Sequence, residues 1–360
     1  MTSPRLCLPL EDWPAIDRAR WLAAQEPAGF LDDVKPASKW SADSKVITEQ
    51  GYGRWPAYLD RNQALDPSST PGDRVTVDHL REFVADLQGR VAPVSVSIAV
   101  GILLRMLRVL EPQRDWTVLA RVHRQLKRTA TPSRDKLSKM VPATDLLALG
   151  IRLMHTWADV RSQQVYKAAQ FRDGLIIAIL ICCPIRLRNL TEIVIDRHLL
   201  FDGRAYRIEL TAAETKAGRL YHAAVPVELT AYVEDYLEVH RPRLRTLARA
   251  DGPGTGGRLW LGRRGKPLSS GAVQRLIVAR TTEAFGKAIW PHLFRDIAVA
   301  ELVDFAPEEI GIAADLLGHA DLRTTRKHYI QAQGMVAHLR VQDVIAARRR
   351  AAAARGTSVA

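Results

Sequence analysis

The chain has 360 residues, room for two domains of ordinary size, and 47% of them are apolar, which excludes wholesale disorder. A formal net charge of +13 points to a polyanionic partner, with nucleic acid first, because no long basic amphipathic helix or anchor motif favours a membrane surface. The three cysteines, Cys7 and the adjacent Cys182 and Cys183, make neither a disulfide framework nor a CxxC metal pair, which fits a reducing cytoplasm.

Residues 1–37 are rich in Pro and Trp and predict one short helix over 15–25, with no assignable chemistry. Glu11 and Asp12 stand where a secretory leader needs basic and then apolar residues. From Ser41 the pattern turns helical, and 41–60 places Trp55, Tyr58 and Leu59 on a mixed basic and apolar face. A turn-rich gap over 66–72 follows. The run VTVDHLREFVADLQG reads as an amphipathic helix capped by Thr76 and stopped at Gly89. After Pro93 come one long or two abutting helices with Arg105 and Arg108 on the polar side. Residues 116–128 form a further helix whose basic face carries Arg121, Arg124, Lys127 and Arg128. With no strand alternation in this half, residues 38–130 are expected to be a small helical bundle.

Residues 131–142 have linker composition. Helices are expected over 143–156 and 165–182, the second apolar nearly all round and therefore buried. Its most apolar run, 175–183, is too short to span a bilayer and ends at Pro184. A short β-meander follows: Tyr206 to Leu210 alternate, Lys216-Ala217-Gly218 is a turn, and 220–227 is the partner strand. Helices resume at Thr230, and a glycine-rich loop over 251–257 precedes Leu259-Trp260-Leu261. The expected fold is mainly α, with a second, mostly helical domain over 143–335 that contains one small antiparallel sheet. Residues 336–360 are expected to be an alanine-rich basic C-terminal helix or tail with Arg340, Arg348, Arg349 and Arg350.

The chemistry concentrates late in the chain. Pro291 opens a helix running to about Asp304, with His292 and Arg295 three residues apart on one face. Pro307 starts a second helix and Gly318 stops it, so His319 emerges at its end. Asp321 caps a third helix that carries Tyr329. Upstream, Arg186 lies just past the proline that ends a buried helix, and Lys216 lies at a hairpin tip. Two arginines set among apolar neighbours suit an anion supplied from outside, and a phosphate matches their planar forks. Taken singly, each of these residues has an ordinary explanation as a salt-bridge partner, a cap, a turn lysine or a half-buried core tyrosine. The ordered set is what carries information.

That set resembles the tyrosine recombinase, or phage integrase, family. Its pattern is matched by Arg186 in CCPIRLRNL, Lys216 in ETKAGRL, His292 and Arg295 in HLFR, His319 in LLGH and Tyr329 in TTRKHY. The resemblance covers 143–335 well and, more loosely, the helical region as a core-binding domain. Two departures stand out. One extra residue separates His319 from Tyr329, and Asn189, with Glu192 nearby, replaces an acid often found three residues after the first arginine.

The resemblance implies a site-specific DNA recombinase or integrase that cuts and rejoins duplex DNA through a 3′-phosphotyrosyl intermediate on Tyr329, without metal, ATP or other cofactor. It implies catalytic roles for Arg186, Lys216, His292, Arg295 and His319. Its partners would be double-stranded DNA and further copies of the chain, a tetramer in the synaptic complex, with no membrane. The setting would be a bacterial-type cytoplasm, associated with the nucleoid. Arg105, Arg108, Arg121, Arg124, Lys127 and Arg128 are the candidate DNA contacts of the first domain. Three other readings stay open: a type IB topoisomerase-like enzyme, a catalytically silent DNA-binding protein on the same fold, and a basic interaction protein without a DNA partner.

Overall fold

The computed structural model describes residues 5–27, 35–131, 135–155, 164–216, 218–245 and 255–305. The expected positions of His319, Tyr329 and the basic tail lie outside these. The chain divides into two units, residues 1–135 and 136–360, each with its own hydrophobic core.

The first unit contains α1 (Ala15–Ala23), α2 (Ala42–Tyr52), α3 (Arg54–Arg61), α4 (Val77–Gln88), α5 (Pro93–Leu110) and α6 (Thr117–Thr129). Thr76 caps α4 by accepting from the His79 amide at 3.1 Å, and Ser41 caps α2 through the Ser44 amide at 3.3 Å. The stretch 41–60 is thus two helices, broken at Gly53. The Leu8 amide donates to the Gly53 carbonyl at 2.9 Å, and a Cβ at Gly53 would stand 2.2 Å from the Leu8 carbonyl oxygen. Only glycine leaves room for the N-terminal strand of chain to pass so close.

That N-terminal stretch belongs to the unit's core. Leu8, Trp13, Trp21, Ala24 and Ala37 are buried with the helices, and the indole of Trp21 donates to Glu49 at 2.7 Å. Beneath them Asp17, wholly buried, accepts two bonds from the Arg74 guanidinium (3.1 and 2.5 Å) and one from the Tyr52 hydroxyl (2.6 Å). A buried charge persists only when paired and fully hydrogen-bonded, as here. By length and composition α5 could cross a membrane, but Val96, Val100, Leu103 and Leu107 on it form part of this core.

The second unit is built on α7 (Ala143–His155) and α8 (Gln164–Cys182). These helices approach through paired glycines: a Cβ at Gly174 would lie 2.4 Å from the Gly150 carbonyl oxygen. As expected, α8 is buried along most of its length. It is followed by α9 (Leu187–Glu192) and an antiparallel sheet of β1 (Leu199–Phe201), β2 (Tyr206–Leu210) and β3 (Tyr221–Ala224), in the order β1-β2-β3. The register pairs Leu199 with Ile208 and Ile208 with Ala223, which lines up one apolar row against the unit's core. Then α10 (Thr230–Asp235) passes through a π turn, Tyr236–His240, into α11 (Arg241–Arg245). The last described helices are α12 (Ser270–Phe285), ended by Gly286 at φ +65°, and α13 (Pro291–Phe305). Arg172 and Asp173 on α8 tie this core together. Arg172 donates to the Leu261 carbonyl at 2.6 Å, and Asp173 accepts from Arg280 of α12 at 3.1 Å.

Candidate active site

The site begins where α8 stops. Pro184 has no amide hydrogen to continue the helix, so the chain turns over Cys183, Pro184 and Ile185 before α9 starts. Arg186 is the N-cap residue of α9, and its carbonyl accepts from the Leu190 amide at 2.8 Å. Its guanidinium is half-buried, and burial lowers its pKa from the ordinary arginine value.

Helix α13 arrives at the same turn. Its N-terminal proline presets the first turn, and Glu301 on it accepts from the Ala143 amide at 2.7 Å, which seats the helix on the start of α7. Arg295 is only 4% exposed and donates from its guanidinium to the Pro184 carbonyl, two residues before Arg186. The two arginines that sequence reading placed in one site therefore sit on elements joined at one turn. His292, one helical turn before Arg295, is exposed, so the pair presents one buried and one open group.

The sheet reaches the same place through β3. The Cys183 thiol donates to the Ala224 carbonyl at 3.4 Å. Burial pushes that thiol up to about 12, so it is an unreactive packing group. Burial also raises the Tyr221 phenol, with Cys183 adding to the shift and Arg295 opposing it, so Tyr221 stays protonated.

Lys216 is exposed at the β2–β3 tip, as the turn chemistry implied. The tip is well tied. The Thr211 amide and hydroxyl both donate to the Glu214 carboxylate (3.0 and 2.8 Å), and the Thr211 side chain accepts from the Glu214 amide in return, completing a capping box. Glu214 also accepts from Arg197 and from His198 Nε2, the latter at 3.1 Å. His198 Nδ1 accepts from the Val194 amide at 3.0 Å, which places the ring proton on Nε2, facing the carboxylate. These donors, Thr211 foremost, hold the Glu214 carboxyl down at about 2. Thr215 closes the tip, donating to the Arg219 carbonyl (2.6 Å) and accepting from the Arg219 amide (3.1 Å).

Asn189, on the buried side of α9, donates to the Glu214 carbonyl at 2.7 Å. Glu192, the acid nearest to Arg186 in sequence, pairs with Arg188 at 3.3 Å. Sequence reasoning named neither Glu214 nor His198. The spacing TAAE at Thr211 to Glu214 was the available signal, since Thr and Glu three apart can cap reciprocally. His319 and Tyr329 lie outside the described residues.

In the first unit all six candidate DNA contacts are exposed on α5 and α6. Arg105 stacks over the Trp40 ring at 3.8 Å, and Arg128 donates to Gln125 at 2.7 Å. His123 of α6 packs at Gly101 of α5, where a Cβ would meet its Nε2 at 2.7 Å. Its pKa is lowered by burial first and then by Lys127 and Arg108, so cations of both helices border one imidazole. Both α5 and α6 thus present exposed basic side chains. A second basic surface, not singled out from the sequence, is the cleft lined by Arg263, Arg264, Lys266 and Arg275, with Arg263 over the Tyr166 ring at 4.8 Å.

The family model of the phage integrase family matches residues 152–334, a span that contains all six expected site positions. The tyrosine recombinase XerC of Pseudomonas fluorescens is 25% identical over 155 residues, 43% of this chain and 47% of that protein. The chain thus spans about half the length of the curated relative it matches. A crystal structure of XerH site-specific recombinase bound to palindromic difH substrate, a post-cleavage complex, aligns with TM-score 0.55 and 13% identity, covering 92% of this chain and 98% of that one. A pre-cleavage complex of XerH with difH aligns with TM-score 0.55 and 14% identity, covering 91% and 99%. At such identities the likeness is one of fold.

Proposed function

This chain belongs to the phage integrase family, and from that premise we propose that it is a site-specific recombinase that breaks and rejoins duplex DNA through Tyr329. The observation that carries the reading is the Arg295 guanidinium resting on the Pro184 carbonyl, two residues before Arg186. Two guanidiniums on a shared turn suit the non-bridging oxygens of one phosphodiester, where negative charge builds as phosphorus becomes five-coordinate.

In the cleavage step the Tyr329 oxygen bonds to phosphorus as the bond from phosphorus to the 5′ oxygen breaks. The tyrosine proton leaves towards His292, whose open position on α13 suits a proton acceptor, and the 5′ oxygen takes a proton from Lys216. His319 adds a hydrogen bond to the phosphate. The product is a 3′-phosphotyrosyl link and a free 5′ hydroxyl. Attack by another 5′ hydroxyl reverses the step and restores the tyrosine, so the link conserves the bond and no ATP is consumed. The arginine pair supplies the positive charge, so this reading calls for no metal or organic cofactor.

Double-stranded DNA is the substrate and chief partner, held largely through phosphates by the basic faces described above. Recombination between two sites requires four protomers, one for each strand cut, and a cytoplasmic, nucleoid-associated setting suits such a substrate. The test is a nicked duplex whose short 5′ product diffuses away. A covalent protein–DNA adduct should accumulate with the natural chain and be absent with Tyr329→Phe; an adduct persisting in that variant would mean that Tyr329 is not the nucleophile. Two-site substrates separate strand exchange from simple resealing of one strand.

A further inference from the structure

Lys216 has a flexible side chain on an exposed tip, which is a poor starting point for a group that must meet one oxygen at one moment. The backbone beneath it is the opposite. Two residues before Lys216, Glu214 is fixed by its capping box with Thr211 and by His198, itself only 6% exposed. On either side of the lysine, Thr215 and Arg219 are joined by two hydrogen bonds through one hydroxyl. The whole assembly is fastened to α9 by Asn189, 5% exposed, whose side-chain amide donates to the Glu214 carbonyl at 2.7 Å.

The residue type at 189 is the informative part. A backbone carbonyl can only accept, so its partner must donate, and a carboxylate cannot. Asn189 stands three residues after Arg186, on the same short helix that Arg186 caps. Its bond therefore links the element carrying an arginine of the site to the element carrying the lysine. We propose that Asn189, Glu214 and Thr215 are positioning residues that hold the Lys216 backbone in fixed register with Arg186, so that the ammonium reaches the leaving oxygen. This rests on the reading of Lys216 as the group that protonates the 5′ oxygen.

The test uses two nicked duplexes, one ordinary and one with sulfur in place of the bridging 5′ oxygen. A thiol has an ordinary pKa of about 8.5, far below that of an alcohol, so the sulfur leaves as a thiolate and needs no proton. Lys216→Ala should slow single-turnover cleavage of the ordinary duplex by about 10²–10⁴-fold, the usual worth of a general acid, and be largely restored on the sulfur duplex. Asn189→Ala should slow the ordinary duplex by roughly 10–100-fold, as a modest misplacement does, and be restored on the sulfur duplex to the same proportion. Glu214→Ala should behave likewise, whereas Glu214→Gln, which can still complete the capping box, should recover most of the rate.

A variant defective only through general loss of structure would be equally slow on both duplexes. Recovery of Lys216→Ala without recovery of Asn189→Ala would overturn the positioning role and leave the acid role standing. Failure of Lys216→Ala to recover would overturn both. No slowing with Asn189→Ala would also overturn the positioning role. Should that variant not fold, Thr215→Val, which keeps the shape but removes the hydroxyl clamp, replaces it in the same comparison.

Discussion

Arg295→Ala separates a group that acts on phosphate from one that only braces a turn. In the folded chain this guanidinium is 4% exposed and donates to the Pro184 carbonyl. Losing a hydrogen bond to a charged group costs about 1.5–3 kcal/mol of stability. That is well within the roughly 5–15 kcal/mol by which domains are stable, so the variant should remain mostly folded. The functional loss should be of another order. One donor removed from a developing oxyanion costs about 10²–10³-fold in rate, or roughly 2.7–4 kcal/mol. Binding should change little, because one phosphate contact among many is lost. The assay pairs single-turnover adduct formation on a nicked duplex with gel-shift binding at the same salt and denaturant unfolding of the same sample. Arg295→Lys serves as a second variant that keeps the charge but not the fork, and it should restore less cleavage than stability. A cleavage defect no greater than the unfolded fraction explains would sink the catalytic assignment and leave a structural arginine.

Three further outcomes follow from the structure. Replacing Arg121, Arg124, Lys127 and Arg128 of α6 by Gln should reduce the slope of log affinity against log salt by about 3–4, if each neutralises one phosphate; an unchanged slope would remove α6 from the DNA face. Asp17→Ala strands Arg74, which is 3% exposed, without its carboxylate, so the first unit should lose about 3–5 kcal/mol in urea unfolding followed by tryptophan fluorescence, and a loss under 1 kcal/mol would contradict the pairing. His240, stacked on Phe171 with ring centroids 4.0 Å apart, has its pKa lowered to about 4, chiefly by burial. The unfolded chain takes up that proton first, so stability should decline as pH falls from the ordinary histidine range through about 4, and His240→Phe should flatten that decline.

Local signals in the sequence located many elements because their causes are local. Thr76 and Gly89 bound α4, Pro291 opens α13, and Pro184 ends α8, each through the backbone chemistry of a single residue. Alternation likewise located β2, and composition located the buried α8. Within residues 1–37 only the helix over 15–25 was legible, found as α1, and not the burial of Leu8, Trp13 and Trp21. Their place in the core depends on Asp17 meeting Arg74, 57 positions away, and on Gly53 admitting Leu8. No period or cap encodes a partner at that distance. The arginines were legible as a pair because their order matches a family pattern, but the Pro184 carbonyl that joins their elements is a backbone atom and leaves no trace in residue types. In the sequence Asn189 stands out as a departure from an acid, with Glu192 nearby. The structure instead pairs Glu192 with Arg188 and gives Asn189 a carbonyl that only a donor can serve.

The short turn after α8 bears on how this chain can change length as it diverges. Consecutive residues there have unrelated partners: Cys183 meets Ala224, Pro184 meets Arg295, and Ile185 is 1% exposed in the core. An inserted residue would break these contacts' register and turn α9 by about 100°. The hairpin turn at Gly203 has φ +93° and nothing within 4 Å of where a Cβ would stand. Insertions and deletions among relatives should therefore gather at 202–205 and be missing from 183–186, leaving the distance between the two arginine-bearing elements as a fixed ruler within a chain whose surface turns are free to lengthen.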